Sequence, residues 1–295
     1  MFDVPHRILQ TKPNTYTLTK HLAEELVNQR KSSVPVCIVR PSIVAGALSD
    51  PIPGYVDNFN AISGLLAGIM SGVVHTILCN EDFMLDVVPL DYVVNLLLAA
   101  ACRLGKTSDR SSGELQIYNH SSCENPYVTT TVVTAGFDSF EKNPVGTMVW
   151  YPFVYFTHNR ILNRMQNFLF HYLPACILDA SAGLLGKKQV YKSLYQKLSR
   201  NVGALQYFCT GKWKFRTDNT KKLYESLSMA DRKTFPFNVL AIDWDQYVFT
   251  QVDGIRKYAL KDRSDPKESH RVLHRLAIFP LKPVIYLFMD GQGQP

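Results

Sequence analysis

Residues 13–44 read PNTYTLTKHLAEELVNQRKSSVPVCIVRPSIV. Leu18, Leu22 and Leu26, with Ala23 and Val27 beside them, recur at helical spacing, and Pro13 suits a first helical turn. The spacing predicts a helix to about Arg30 that turns one face inward. After a short polar turn, Val34–Arg40 is a nearly continuous apolar run closed by Pro41. Such a run predicts a strand buried on both faces. A helix leading directly into a buried strand is half of a parallel α/β unit.

Working outward, 59–74 predicts a Gly- and Ala-rich helix and 75–79 a short strand. Residues 86–102 begin extended and become a helix, with Asp91 as an N-cap, and 115–119 predict another strand. After Gly136 the strands give way to aromatic-rich stretches expected to be helical: 150–156, 168–178, 187–200 and 217–227. The organisational boundary falls between about 135 and 160.

The chain has 295 residues, 46% of them apolar, with 16 Phe, 15 Tyr and 3 Trp, which excludes a disordered or collagen-like polypeptide. Six widely spaced cysteines with no C-x-x-C pair, and no secretory leader, point to a reducing compartment rather than a disulfide framework or zinc ribbon. The net charge is +7, but residues 187–233 alone carry 12 Lys/Arg against Asp218, Glu225 and Asp231. That basic surface suits acyl-CoA phosphates, anionic lipid headgroups or nucleic acid, or is simply a solvated face. No base-reading motif accompanies it, so no nucleic-acid partner is expected. The apolar stretches 145–157, 168–186 and 276–289 each fall short of the roughly 20 uninterrupted apolar residues of a spanning helix. They fit core helices or interfacial segments.

The sharpest chemical signal is Tyr16-Thr-Leu-Thr-Lys20. Positions i and i+4 share a helix face, so hydroxyl and ammonium can serve one site. A nearby cation favours phenolate, which equips the Tyr to act as an acid toward a developing alkoxide. His270 and His274 have the spacing of a metal pair but no third ligand, so no metal site is expected. Asp57 and Asn58 suit either a helix cap or a substrate contact. Trp213, Phe215 and Trp244 read as core aromatics.

In this order the segments PNTYTLTKHLAEEL (13–26), VCIVRPSIV (36–44), PGYVDNFNAISGLLAGIMSG (53–72) and DVVPLDYVVN (86–95) resemble the fatty acyl-CoA reductases. IYNHSSCENP (117–126), FLFHYLPACILD (168–179), KWKFRTDNTKKL (212–223) and FNVLAIDWDQY (237–247) resemble the same family's helical "sterile" domain and its approach. The resemblance implies an α/β fold: an incomplete Rossmann-type parallel sheet (1–150), a mainly α-helical C-terminal domain (151–265) and an apolar tail (266–295). It implies an enzyme of the extended short-chain dehydrogenase/reductase type that reduces long-chain acyl-CoA to a primary alcohol with NADPH, associated with an intracellular membrane of the endoplasmic reticulum or peroxisome. On matching positions, Tyr16 is the expected proton donor and Lys20 lowers its pKa and binds the nicotinamide ribose. Pro41, Ser42 and Ile43 are expected to border the nicotinamide.

The sequence departs from the family in having no G-x-G-x-x-G turn, the element whose helix N-terminus holds a pyrophosphate. It therefore reads as the C-terminal portion of a reductase, expected to be inactive alone and to bind NADPH weakly or not at all. A non-enzymatic lipid- or partner-binding remnant of the fold is the alternative.

Overall fold

The computed structural model describes residues 14–32, 34–79, 84–106, 115–196 and 213–277, with 12, 199 and 211. The stretch 276–289 expected to be apolar and interfacial lies almost wholly outside the described residues, as does the end of the expected helix 187–200.

The elements, in chain order, begin with α1 (Thr15–Arg30), β1 (Cys37–Pro41), β2 (Ile43–Ala45), α2 (Ala61–Met70), β3 (Thr76–Leu78), β4 (Met84–Leu85), β5 (Val87–Pro89) and α3 (Leu90–Lys106). Next come β6 (Gln116–His120), β7 (Tyr127–Val128), α4 (Thr129–Lys142), β8 (Tyr155–Thr157) and α5 (Arg160–Asn167). A π-helical turn (Phe168–Tyr172) joins α5 directly to α6 (Leu173–Leu184). The C-terminal portion holds α7 (Asp218–Glu225), α8 (Met229–Thr234), α9 (Trp244–Gly254) and α10 (Pro266–Ala277). The fold is mixed α/β with short parallel sheets, as the sequence implies.

β1 and β2 form one nearly continuous run that changes partner at Ser42. β1 pairs in parallel with β6, Cys37 opposite Gln116 through Pro41 opposite His120. β2 pairs in parallel with β5, Ile43 opposite Val87. Ser42 N–H reaches His120 O at 2.9 Å, whereas Ile43 N–H reaches Asp86 O at 3.0 Å. The run thus passes from β6 to β5 at the Ser42 bend.

The core forms beneath this run. Val87 and Val88 of β5, Leu96 and Ala100 of α3, and Tyr118 of β6 are buried with Tyr247, Val248 and Val252 of α9. Two expectations for the first α/β unit need correction. α1 buries no side chain, and Leu22 and Leu26 are exposed. β1 is half-buried at Cys37–Val39 and exposed at Arg40 and Pro41. Both follow from the same fact: among the described residues, β6 is the one strand paired with β1, and α1 is held through polar contacts instead of a packed apolar face.

The stretch 150–156 is extended, not helical. Its end enters β8, which pairs in parallel with β3. Tyr, Phe, Val and Thr suit a strand, and Pro152 removes a helical donor. Trp244 is a core residue as expected, but Trp213 and Phe215 are about two-fifths exposed, their rings parallel at 6.5 Å. They sit in the segment before α7, whose residues 213–216 are all exposed.

Asp91, expected as an N-cap, instead reaches back across the sheet. Its carboxylate accepts from the backbone N–H groups of Leu48 and Ser49, both at 2.9 Å, and of Asp50 at 3.1 Å. It thereby holds the loop after β2. α9 grips the same loop from the other side: Tyr247 Oη donates to Gly46 O at 2.7 Å, and Gly46 N–H donates to Gln251 Oε1 at 3.0 Å. Gly54, at φ +71, and Gly254 meet so closely that a Cβ on Gly254 would lie 1.9 Å from Gly54 O. Only glycine fits there. Replacing Asp91 by Ala strands three backbone donors and should cost on the order of 3 kcal/mol in urea unfolding. A loss below about 1 kcal/mol would show that the loop holds without it.

Three buried histidines are fixed as neutral tautomers. His75 Nδ1–H donates to Phe153 O at 3.1 Å, and His120 Nε2–H donates to Phe237 O at 3.1 Å. His171 Nε2 accepts from His75 N–H at 2.8 Å while its Nδ1–H faces Asn167 Oδ1 at 2.9 Å. Burial pushes each from 6.5 down to about 4, with His75 adding to the effect on His171. Between those values the unfolded chain binds more protons than the folded one. The stability these neutral rings contribute is therefore whole above about pH 6.5 and is lost as the pH falls toward 4. Unfolding free energies from urea titrations should stay level from pH 7.5 to about 6.5 and then drop, down to pH 4.5, by about 1.4 kcal/mol per pH unit per histidine, and His120→Gln should flatten that slope by one histidine's share. An unchanged slope in the variant would contradict this account.

Candidate functional site

Asn14 opens α1 by accepting Thr17 N–H on its Oδ1 at 2.9 Å, which places Tyr16 and Lys20 in the first two turns. Tyr16 is 57% exposed, and Lys20 Nζ sits 5.7 Å from the centre of its ring. The i, i+4 pairing expected from the sequence is thus realised on an open face.

One turn further along, Glu24 continues the stripe. Its two carboxylate oxygens take Nε and Nη2 of Arg40, the first at 2.8 Å. The hydrogen bond from Arg40 holds the Glu24 carboxyl below its ordinary value against the opposing effect of burial, and the same bond raises Arg40. The fork-to-fork pair fixes α1 by its middle to the C-terminal end of β1. Tyr16 lies eight residues before Glu24, about 12 Å along the helix axis. If α1 runs back along β1, as its short connection requires, the Tyr16–Lys20 end projects past the carboxyl ends of the strands. In open α/β sheets that is where ligands bind, at points where strand order changes.

Pro41, Ser42 and Ile43 occupy the place where β6 and β5 separate. Ser42 Oγ is buried there without a hydrogen-bond partner. Asp86 and the segment after β6 build the opposite rim. The Asp86 carboxylate accepts Ser121 Oγ–H at 2.6 Å and Ser122 N–H at 2.7 Å, and Ser122 Oγ accepts Val87 N–H at 3.1 Å. Sequence reading missed this rim. The signal was present in the segments DVVPLD and NHSSC, a carboxylate and two adjacent hydroxyls, but their meeting depends on the β5 and β6 registers. Among the described residues no hydrogen bond joins Tyr16 or Lys20 to the 41–43 turn; they are connected through Glu24 and Arg40.

A cleft of about 360 Å³ adjoins Arg40, lined also by Ile117, Asn119, Arg216, Asp218 and Asn219. Here the C-terminal portion closes the free edge of β6. Asn219 Nδ2 donates to Ile117 O at 2.9 Å and Thr220 Oγ1 to Asn119 O at 2.7 Å, so side chains satisfy an edge that would otherwise invite another strand.

Other sequence candidates fall elsewhere. Asp57 and Asn58 are exposed, and Asn58 Oδ1 accepts Asn60 N–H at 2.9 Å; they order the chain before α2 without capping it. His270 spends both ring nitrogens on backbone carbonyls, Pro266 O and Glu141 O. Among the described residues no group of three or more His, Cys, Asp or Glu side chains is placed to hold a metal ion.

Two family models match the chain, both described as male sterility protein: a nucleotide-binding one over residues 3–97 and the sterile-domain one over 170–262. Rat fatty acyl-CoA reductase 1 is 33% identical over 261 residues, 88% of this chain and 50% of the relative. The Drosophila melanogaster fatty acyl-CoA reductase wat is 33% identical over 273 residues, 92% and 52%. Human fatty acyl-CoA reductase 2 is 32% identical over 288 residues, 97% and 54%.

The chain belongs to the fatty acyl-CoA reductase family. It spans about half the length of the curated relatives it matches. Within the family frame, the nucleotide-binding match takes in Tyr16, Lys20, the Ser42 split and Asp86, while the sterile match supplies α9 and the α7 residues that close β6.

The Glu24–Arg40 pair is half-exposed, so its loss should cost under about 1 kcal/mol of global stability. Because α1 buries nothing, Glu24→Gln should nevertheless speed amide exchange throughout α1, measured by mass spectrometry. Unchanged exchange in α1 would mean that the pair does not position it.

Proposed function

We propose that this chain serves the reduction of a long-chain fatty acyl-CoA to the primary alcohol with two equivalents of NADPH, at an intracellular membrane surface of the endoplasmic reticulum or peroxisome. What carries the reading is the Tyr16–Lys20 pair on a helix that an arginine fork fixes beside the strand split at Ser42. The identity to named reductases across the same residues supports an enzyme over a non-enzymatic remnant.

The residues present fit a nicotinamide nucleotide. Ser42 Oγ is a buried hydroxyl with no protein partner, and Lys20 is an exposed cation one helical turn from Tyr16. In this reading Lys20 holds the ribose, and the backbone of Pro41, Ser42 and Ile43 borders the ring. When bound, the cofactor supplies the hydride.

The work of the chain is with protons and position. As the thioester carbonyl gains a hydride, its oxygen becomes an alkoxide and takes the proton of Tyr16 Oη. Lys20 favours the resulting phenolate by charge. The hemithioacetal then breaks its C–S bond; its hydroxyl proton leaves and the departing sulfur is protonated, giving free CoA and an aldehyde. A second hydride and a second proton through Tyr16 convert the aldehyde to the alcohol.

Tyr16→Phe removes the proton and keeps the ring. It should lower kcat for alcohol formation from palmitoyl-CoA by about 10²–10⁴-fold with little change in KM, read by gas chromatography of the product. Lys20→Met should lower kcat and raise KM for the nucleotide. Running the assay with NADPH and NADH separates the two cofactors. Full activity in Tyr16→Phe would overturn the reading, whereas no alcohol from the unaltered chain with either nucleotide would meet the expectation, drawn from the missing G-x-G-x-x-G turn, that these residues do not act alone.

A further inference from the structure

α5, the π turn and α6 run without interruption from 160 to 184, a rod of roughly 35 Å. Its two faces are reversed relative to a helix that packs on a protein in water. The polar residues face the protein. Asn163 Nδ2 donates to Thr76 Oγ1 at 3.0 Å, and Thr76 Oγ1–H donates to Gln166 Oε1 at 2.8 Å. Asn167 and His171 continue the network to His75. The carboxylate of Asp179, buried, accepts the N–H groups of Tyr191 at 2.9 Å and Lys192 at 3.0 Å.

Most of the large apolar residues face outward, while Phe170, against Phe153 and Tyr155, and Ala175 turn inward. Ile161, Met165, Phe168, Leu169, Tyr172 and Ile177 are between 41% and 69% exposed, and Leu184 at the end of the rod is 90% exposed. Steps of one, three or four residues put the first five in one stripe, and the five-residue step to Ile177 carries it about 140° round the axis. Exposed singly such residues mean little; a continuous stripe the length of a rod marks an interaction surface.

Charge identifies what covers it. From residue 143 to 217 the sequence holds one carboxylate, Asp179, which is the buried one. Arg160 and Arg164 at one end, and Lys187, Lys188 and Lys192 beyond the other, are all exposed. A second copy docked by the same face would set cation against cation in a self-complementary contact. An anionic lipid leaflet satisfies both features at once, with acyl chains for the stripe and phosphates for the cations. No helix among the described residues is long and apolar enough to cross a membrane. We infer that the rod 160–184 lies in the plane of an anionic lipid surface with its Ile161–Tyr172 stripe sunk to the acyl boundary, an inference that rests on the membrane-surface reading above and names the face that serves it.

The test is flotation of the full chain with vesicles of phosphatidylcholine alone or with about 30% phosphatidylserine, near 0.15 M salt. The unaltered chain should float with the anionic vesicles and far less with the neutral ones. Ile161→Ser/Met165→Ser/Phe168→Ser changes positions that are more than half exposed, so melting and circular dichroism should match the parent while the bound fraction falls by about tenfold or more. Arg160→Gln/Lys187→Gln/Lys188→Gln should erase the preference for anionic vesicles. A parent that stays unbound with every vesicle overturns both this face and the membrane reading. Variants that float like the parent overturn the face alone. A serine variant that turns a dimer into a monomer by light scattering, with flotation unchanged, assigns the stripe to a second copy and overturns the lipid. The alcohol assay is independent of all three outcomes.

Discussion

The loop from Gly46 to Asp50 is held from two directions, and the arrangement of the chain depends on that double hold. Asp91, at the start of α3, collects three of its N–H groups; Tyr247 and Gln251 of α9 take the carbonyl and N–H of Gly46. The loop follows the point where β1 hands over to β2, so fixing it fixes how far β5 and β6 spread at Ser42. The bonds to a carboxylate are the strong kind, and the carboxylate that makes them is itself buried. The hold also joins parts far apart in sequence. α9 lies in the sterile-domain match, yet it is wedged against the nucleotide-binding one with no room for a Cβ at Gly254. The two family segments therefore act as one body around the strand split.

That union explains why the candidate site is built from so few strong contacts. Among the described residues Tyr16 and Lys20 make no hydrogen bond to the sheet, the Glu24–Arg40 pair joins α1 to it, and α1 contributes no buried side chain. An arginine fork is directional, so it can orient a helix while adding little stability at an exposed position. The rigid partner is the opposite rim, where Asp86, Ser121 and Ser122 satisfy one another. The apolar bulk of α1, Leu22 and Leu26, plays no part in holding the helix.

Sequence reading recovered the elements whose periodicity has a single meaning. α3 after β5, and β6 at 116–120, lie where the pattern puts them, because each apolar run is bounded by turn or cap residues. That Tyr16 and Lys20 share a helix face was legible for the same reason: i, i+4 geometry is local. The Asp86 and Asp91 networks were not, since a carboxylate's partners 35 to 43 residues away are chosen by register. Trp213 and Phe215 were misread because aromatic content signals burial only on average. The error at 150–156 has a different origin. Five aromatic residues in seven give no period, and it took the pairing of β8 with β3 to settle their conformation.

The rod 160–184 shows a limit of another sort. Helical spacing of apolar residues says that a helix has two unlike faces, and never which of them meets the protein. Here the choice was made by the receiving surface. β3 presents the Thr76 hydroxyl, and His75 just before it presents its N–H; groups of that kind cannot be covered by Ile161 or Phe168 without stranding a donor. They can be covered by Asn163, Gln166 and His171. Once those side chains turn inward, Phe170 and Ala175 among the apolar ones share their side, and helical geometry puts Ile161, Met165 and Phe168 outward. The π turn at Phe168–Tyr172 falls in the middle of this contact and contains His171 itself. A helix docked through hydrogen bonds is fixed in rotation more sharply than one docked through apolar packing, since each bond tolerates only a narrow range of angles. Polar burial on one side of the rod is thus the reason that an apolar stripe is presented, at a defined angle, on the other.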